Sequence, residues 1–212
     1  MAGELEPLWG SSALLTIDVQ RDLLDGEPYE IAGTSAAAER IATMCEAFRA
    51  GERRIVHVVR LYRADGSNVD VCRREAVRAG LELVIAGSAG AEPAPAIVPD
   101  GTELDVEGLL RGEVQEVGPR EVVIYKPRWG AFYGTPLEEH LRQEEVTTTV
   151  FGGCNFPNCP RTSIYEASER DFRVVVAEDA ISGLYERGRG ELAAIGVQLI
   201  ASDAIAAAVG GR

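Results

Sequence analysis

The sequence predicts an α/β protein: a three-layer, Rossmann-like domain whose six-stranded, mainly parallel sheet is covered by helices on both faces. Short apolar runs typical of buried strands recur along the chain. They alternate with segments of helical periodicity, as expected when crossover helices join parallel strands. The composition, with 46% hydrophobic and 26% charged residues, is that of a globular protein, and 212 residues suffice for one sizeable core.

The predicted elements follow one another regularly. The first strand covers 13–17, and a helix over 35–50 follows, with apolar residues at helical spacing and Gly51 at its end. The other predicted strands are 55–59, 122–125, 147–151, 174–177 and 197–200, and the other predicted helices are 71–79, 137–144 and 162–170.

The segment from about 63 to 120 interrupts this rhythm, because it is rich in glycine and proline. We interpret it as an insertion or lid over the carboxyl edge of the sheet, within a single domain that spans 1–212. Long loops in compact domains tend to be functional.

The charge and the cysteine content narrow the classes of function. A net charge of −13 argues against nucleic-acid or membrane binding, but leaves open a small anionic substrate in a locally basic pocket. No membrane span or signal peptide is recognisable, so we expect a cytoplasmic protein with four reduced cysteines. The two histidines are far apart in sequence, and we predict no metal and no cofactor.

The most informative stretch runs from Gly152 to Cys159. It joins a β-branched run to a helical segment through a glycine-bearing turn and ends on the cysteine. Unpaired N–H groups and the helix dipole favour a thiolate at a helix N-terminus. Cys159 is therefore a candidate nucleophile.

Three ionisable residues follow predicted strands, namely Asp18, Lys126 and Cys159. The carboxyl edge of a parallel sheet is where ligands bind. A carboxylate can take the thiol proton, an ammonium can lower the thiol pKa, and the thiolate can attack an electrophilic carbon. Taken singly, the three residues can also be a turn cap, a solvated strand end and a buried thiol. Their common position at one edge favours the chemical interpretation.

Three motifs together resemble the isochorismatase-like cysteine hydrolases. They are Asp18-x-Gln20, the run Lys-Pro-Arg-Trp-Gly-Ala-Phe-Tyr-Gly-Thr-Pro-Leu over 126–137, and the segment 153–167. That superfamily includes nicotinamidases, N-carbamoylsarcosine amidohydrolases and ureidoacrylate amidohydrolases. The resemblance covers about 14–206 and weakens in the insertion.

The resemblance implies that Asp18, Lys126 and Cys159 form a catalytic triad. It also implies a cis peptide bond between Cys154 and Asn155, with the backbone N–H groups of Asn155 and Cys159 forming an oxyanion hole. Family members commonly form dimers or tetramers. We therefore expect a homo-oligomer, for which the apolar residues in 205–209 offer a surface.

The departures from the family pattern bear on the substrate. Metal-dependent nicotinamidases carry Asp-x-His-x-x-His after the second strand, where this chain has Val-Arg-Leu-Tyr-Arg over 59–63, so nicotinamide and a metal are disfavoured. Phe156 replaces the threonine of many members. Because isochorismatases proper often lack the nucleophile, Cys159 favours carbon–nitrogen hydrolysis.

Residues after the strand ends are candidates for contact with substrate, since arginine pairs with carboxylates and aromatic rings pack against planar groups. These candidates are Gln20, Arg60, Tyr62, Trp129, Phe132, Tyr133 and Phe156. The alternative is that Trp129 and Phe132 simply cover the sheet edge. Arg73, Arg74 and Arg78 are interpreted as a solvated helix face.

The sequence thus predicts a hydrolase that cleaves a small amide, ureido or related carbon–nitrogen bond through a thioester. Two alternatives remain. One is hydrolysis of an isochorismate-like vinyl ether. The other is a catalytically silent protein that binds a small molecule on the same scaffold.

Overall fold

A computed structural model describes residues 3–210 of the chain. The strands are β1 (Ser12–Ile17), β2 (Arg54–Val59), β3 (Gln115–Gly118), β4 (Glu121–Tyr125), β5 (Thr148–Gly153), β6 (Arg173–Ile181) and β7 (Gln198–Ile200). The α-helices are α1 (Thr34–Ala50), α2 (Val71–Arg78), α3 (Val106–Leu110), α4 (Leu137–Gln143), α5 (Cys159–Ser168), α6 (Glu186–Ala194) and α7 (Ser202–Gly210). Short 3-10 helices cover Trp9–Ser11, Arg21–Leu23 and Ala89–Ala91.

The sheet has seven strands in the order β3-β4-β2-β1-β5-β6-β7, all parallel except β3. The predicted α/β class is therefore confirmed, with one strand more than expected. The additional strand, β3, pairs antiparallel with β4 at the edge of the sheet. Its sequence, Gln-Glu-Val-Gly, is only half-buried, so it lacks the apolar run that marks the other strands.

Two hydrophobic clusters enclose the sheet. On one face, residues of β1, β2, β4, β5 and β6 pack against α4, α5 and α6. On the other face, α1 and α7 pack over Leu14, Ile55 and Val150. Ile205 and Val209 of α7 are buried in this second cluster. They therefore do not form the free apolar surface that we expected near the C-terminus.

The segment 63–120 contributes α2, α3 and β3 and has its own hydrophobic cluster. This cluster includes Tyr62, Val77, Val84 and Leu109, and it continues the core beyond the ends of β2 and β4. The backbone of Tyr62 pairs with the segment through Val84 and Ala86. Within residues 3–210, no helix is long and apolar enough to cross a membrane.

A chain of polar side chains lies buried beside β1, β2 and β4. Thr16 Oγ1 lies 2.8 Å from His57 Nδ1, and His57 Nε2 lies 2.8 Å from Glu121 Oε1. Arg49 of α1 completes the chain through two hydrogen bonds of 2.7 and 2.8 Å to the Glu121 carboxylate. Buried polar groups need such partners, and this chain ties α1 to the sheet.

Candidate active site

The parallel strands bring Asp18, Lys126 and Cys159 together at the carboxyl edge of the sheet. Asp18 follows β1 and its N–H donates to the carbonyl of Val58, while the N–H of Lys126 after β4 donates to the carbonyl of Val59. Cys159 is the first residue of α5, and its thiol is close enough to both side chains for their charges to shift its pKa. Asp18 thus shares one site with two residues that follow it by more than a hundred positions.

Asp18 and Lys126 form a buried ion pair. Lys126 Nζ lies 2.8 Å from Asp18 Oδ2 and also donates to the carbonyl of Arg128 at 3.2 Å. Lys126 is fully buried, and Asp18 is 4% exposed. Removing one partner of such a pair leaves an uncompensated buried charge, which is strongly destabilising. Asp18 Oδ1 is buried and has no hydrogen-bond partner within residues 3–210, so one carboxylate oxygen is available to accept a proton.

The backbone of Asp18 has a left-handed conformation, with φ of 52°. Residues other than glycine rarely adopt this conformation, although aspartate and asparagine tolerate it better than most. The hydrogen bond from its N–H to Val58 and the ion pair with Lys126 hold the residue there. Backbone strain of this kind persists where the surrounding structure enforces it, often at functional sites.

The environment of Cys159 raises the pKa of its thiol to about 11. Burial is the main cause, followed by the negative charge of Asp18, while the positive charges of Lys126 and Arg60 oppose the shift. We had expected the helix N-terminus and Lys126 to favour the thiolate. Lys126 does lower the thiol pKa, but burial and Asp18 outweigh the positive groups and keep the resting thiol protonated, so the expectation of a thiolate is wrong.

Two backbone donors at and just before the start of α5 have no acceptor among residues 3–210. The N–H groups of Asn155 and Cys159 donate no hydrogen bond within the described part of the chain. The peptide bond between Cys154 and Asn155 is cis. The side chains nearby are also polar, since Asn158 Nδ2 donates to Asn155 Oδ1 at 3.1 Å. Free N–H groups beside a nucleophile can stabilise an oxyanion.

A cavity of about 200 Å³ opens above Cys159. Its floor carries the polar groups of the strand ends, and its roof comes from the segment before α1 and from the 63–120 segment. The lining residues are Asp18, Leu23, Tyr29, Ile31, Arg60, Arg73, Leu83, Val84, Trp129, Cys154, Asn155, Asn158 and Cys159. The roof is held in place by hydrogen bonds from the N–H of Glu82 to Tyr29 and from the N–H of Val84 to Asp22.

Arg60 and Trp129 are the two predicted substrate contacts that line this cavity. The guanidinium of Arg60 pairs with Asp70 at 2.7 Å, donates to the carbonyl oxygens of Pro127 and Arg128, and lies 3.9 Å from the sulfur of Cys159. It also lies over the Trp129 ring, 5.6 Å from the ring centroid. Because the donors on Nη1 and Nη2 are engaged in this way, Arg60 is a rigid wall of the site.

The other predicted substrate contacts lie outside the cavity lining, which corrects our expectation. Gln20 is fully buried and bridges the backbone of Arg60 to Ala91. The Tyr62 side chain is also fully buried and donates to Asp70 at 2.8 Å. In both residues the polar group that suggested a ligand contact is used to hold Arg60 and its partner in place.

Of the three remaining aromatic candidates, two pack against other rings and one is exposed. Phe132 packs against Phe172 with ring centroids 6.0 Å apart, and Phe156 packs edge-to-face against Tyr185 at 5.4 Å. Tyr133 is 61% exposed and borders a separate shallow depression. A sequence pattern places these rings near strand ends but does not indicate which way each ring points.

Several lining residues escaped the sequence analysis. Arg73 projects from α2 into the cavity, so the interpretation of this residue as part of a solvated face was wrong. Leu23, Tyr29 and Ile31 lie between β1 and α1, where no sequence pattern indicates a role. The only signal for Arg73 was its place in the insertion, since the chain gives no local pattern that distinguishes it from Arg74.

The arrangement has the parts of a nucleophilic hydrolysis. A thiol lies beside a carboxylate with a free oxygen, an ammonium neutralises that carboxylate, and two backbone donors remain open. Among residues 3–210, no cluster of three or more histidine, cysteine, aspartate or glutamate side chains is placed to hold a metal ion.

The fold and the site define a small α/β hydrolase. The chain belongs to the isochorismatase family, since the family model for the isochorismatase domain matches residues 12–201. Among solved structures, an isochorismatase family protein from Desulfovibrio vulgaris is 31% identical with a TM-score of 0.78, covering 92% of this chain and 96% of that one.

Curated relatives carry names from the same family. A probable inactive nicotinamidase of Arabidopsis thaliana is 29% identical over 175 residues, which are 81% of each chain. A ureidoacrylate amidohydrolase of Methylobacterium radiotolerans is 37% identical over 62 residues, which are 29% of this chain and 24% of that protein. Each of these names applies to the relative that carries it and not to this chain.

Proposed function

We propose that this hydrolase cleaves a small amide, ureido or related carbon–nitrogen bond through a thioester on Cys159. The observation that carries the proposal is the buried Asp18–Lys126 ion pair beside the Cys159 thiol. A similarity to a ureidoacrylate amidohydrolase over 62 residues supports the choice of a carbon–nitrogen bond.

Acylation begins with the thiol protonated, because its pKa is about 11. Asp18 takes the thiol proton as the sulfur attacks the carbonyl carbon, so the free Oδ1 acts as the general base. The carbonyl oxygen becomes an oxyanion that accepts hydrogen bonds from the N–H groups of Asn155 and Cys159. Asp18 then gives the proton to the leaving nitrogen, and the carbon–nitrogen bond breaks.

Deacylation reverses these roles. Asp18 takes a proton from water, the hydroxide attacks the thioester carbon, and the carbon–sulfur bond breaks. The proton returns to the sulfur and the acid product leaves. Lys126 holds the Asp18 carboxylate in position through the 2.8 Å contact. The fixed charge of Arg60, 3.9 Å from the sulfur, favours the developing thiolate.

The test is a screen of primary amides, carbamoyl compounds and ureido compounds, read by release of ammonia. Intact-protein mass spectrometry of wild type and Cys159→Ala should find the acyl adduct on wild type alone. Cys154→Ser is the matched control, because this second cavity thiol is not at the helix start. Turnover by Cys159→Ala would overturn the proposal.

The name of the Arabidopsis relative favours a second candidate, a silent binding protein on the same scaffold. The two candidates differ in two observables. A silent protein binds compounds from the screen without an adduct on Cys159 and without release of ammonia.

A further inference from the structure

Arg73 lies at the side of the cavity. Its guanidinium stacks over the indole of Trp129, 4.9 Å from the ring centroid, and Nη1 donates to the Tyr62 hydroxyl at 3.2 Å. Tyr62 in turn donates to Asp70, which is paired with Arg60. Arg73 is thus oriented by a rigid platform that belongs to the site.

The charges around the cavity do not cancel. Asp18 is paired with Lys126 at 2.8 Å, and Arg60 is paired with Asp70 at 2.7 Å. Arg73 forms no ion pair with any residue in the range 3–210. One positive charge therefore remains uncompensated in the cavity wall of a chain whose net charge is −13.

The surroundings keep Arg73 charged and available. Burial and the nearby charge of Arg60 lower the pKa of its guanidinium, but the interaction with Tyr62 and Cys159 raises it, and the net shift is upward from an already high value. The roof across the cavity is apolar, formed largely by Leu83 and Val84 together with Leu23 and Ile31, and offers no acidic side chain to Arg73. A planar guanidinium with free N–H donors matches a carboxylate and binds it with two parallel hydrogen bonds.

We propose that Arg73 is the specificity-determining residue of this site and binds a carboxylate on the substrate, at the end away from the bond that Cys159 attacks. The substrate class is then a small amide or ureido compound that bears one negative charge. The inference rests on the proposed function for the position of the reactive carbon. The charge and the contacts of Arg73 do not depend on the proposed function, and the experiment below tests them separately.

Alkylation of Cys159 by iodoacetate and by iodoacetamide tests the inference. Both reagents transfer one substituted methylene to the sulfur and release iodide, and they differ in carrying a carboxylate or a neutral carboxamide. We would measure both rates at Cys159 by peptide mass spectrometry in a Cys72→Ser background, because Cys72 is exposed. The ratio of the iodoacetate rate to the iodoacetamide rate reports attraction of the anion.

The expected result is a fall of about three- to tenfold in this ratio for Arg73→Met, which removes one nearby charge. Arg73→Lys should retain most of the ratio, because it keeps the charge. Arg78→Met is the matched control: Arg78 is an exposed arginine of α2 outside the cavity, and its loss should leave the ratio unchanged. The wild-type ratio should also fall as salt is added.

Two outcomes would overturn the inference in different ways. If Cys159 is labelled but Arg73→Met has the wild-type ratio, Arg73 does not select anions and the proposed hydrolysis still stands. If neither reagent labels Cys159 in the wild type, the nucleophile itself is refuted, and the inference that depends on it falls too. Melting temperatures of the variants verify that each compared protein is folded.

Discussion

Replacing Asp18 with asparagine should separate the reactivity of the thiol from catalysis. Asparagine suits the position, because it tolerates the left-handed backbone with φ of 52° better than most residues. The substitution removes the charge that, after burial, contributes most to raising the pKa of the Cys159 thiol. It also removes the proton acceptor that the proposed acylation needs.

The magnitude follows from the neighbours. A single nearby charge shifts a pKa by about one to three pH units, and Lys126 at 2.8 Å screens part of the charge of Asp18. We therefore expect the thiol pKa to fall from about 11 by about one to two pH units. Labelling by iodoacetamide near neutral pH should then become about 10- to 100-fold faster, because the thiolate is the reacting form. Turnover should fall by about 10²–10⁴-fold, the usual contribution of a general base.

The assay is the pH profile of Cys159 labelling beside steady-state ammonia release, in wild type and Asp18→Asn. Since Asp18→Asn leaves the buried Lys126 unpaired at a cost of about 3–5 kcal/mol, Asp18→Asn/Lys126→Met serves as the charge-balanced control. It should regain melting temperature without regaining turnover. Slower labelling in Asp18→Asn, or turnover within tenfold of wild type, would refute the assignment of Asp18 as the proton acceptor.

Three further changes test the fold and the site. Lys126→Met should raise the thiol pKa, because the ammonium lowers it, and an unshifted pH profile of labelling would contradict this. Gly153→Ala should lower the free energy of unfolding by about 3 kcal/mol in urea denaturation, because φ is 138° and the added methyl group would meet the β1 backbone. Gly190→Ala is the control and should leave the free energy of unfolding unchanged, because open space surrounds this glycine. Stability should fall below about pH 6.5, because burial keeps the pKa of His57 below 6.5 in the folded chain and only the unfolded chain takes up the proton readily. It should fall further below pH 4.5, because burial would raise the pKa of Glu121 but Arg49 and His57 outweigh it and hold the pKa at about 2. A urea midpoint that stays constant from pH 7 to 5 would exclude the first effect, and one that stays constant from pH 4.5 to 3 would exclude the second.

The sequence predicted the parts of the molecule whose physical origin is local. Buried parallel strands must be apolar throughout, and the edge after each strand is fixed by the sheet, so the approach of Asp18, Lys126 and Cys159 followed from their positions. The orientation of a long side chain is not local. The Gln20 side chain lies in the interior, where its Oε1 accepts a hydrogen bond from the backbone N–H of Arg60.

The net pKa of a thiol was also beyond the sequence. A helix N-terminus and an ammonium lower it, but burial and a facing carboxylate raise it, and only the structure gives the balance for Cys159. The same reason applies to Arg73. Its location in a glycine-rich insertion left its orientation open, and its charge is uncompensated because Asp70, three residues before it, is paired with Arg60 instead.

The origin of the cavity walls has a consequence for divergence and for engineering. The reacting groups stand on strand ends that the core holds rigid, whereas the roof residues Leu83 and Val84 belong to a segment with its own small core. Replacing these roof residues changes the shape and charge of the cavity that a substrate contacts. It does not change Asp18, the proposed proton acceptor. Recognition can therefore be altered at the roof, but Asp70 of the same segment holds Arg60 beside Cys159, so a chimera that carries another 63–120 segment must retain Asp70 to retain the site.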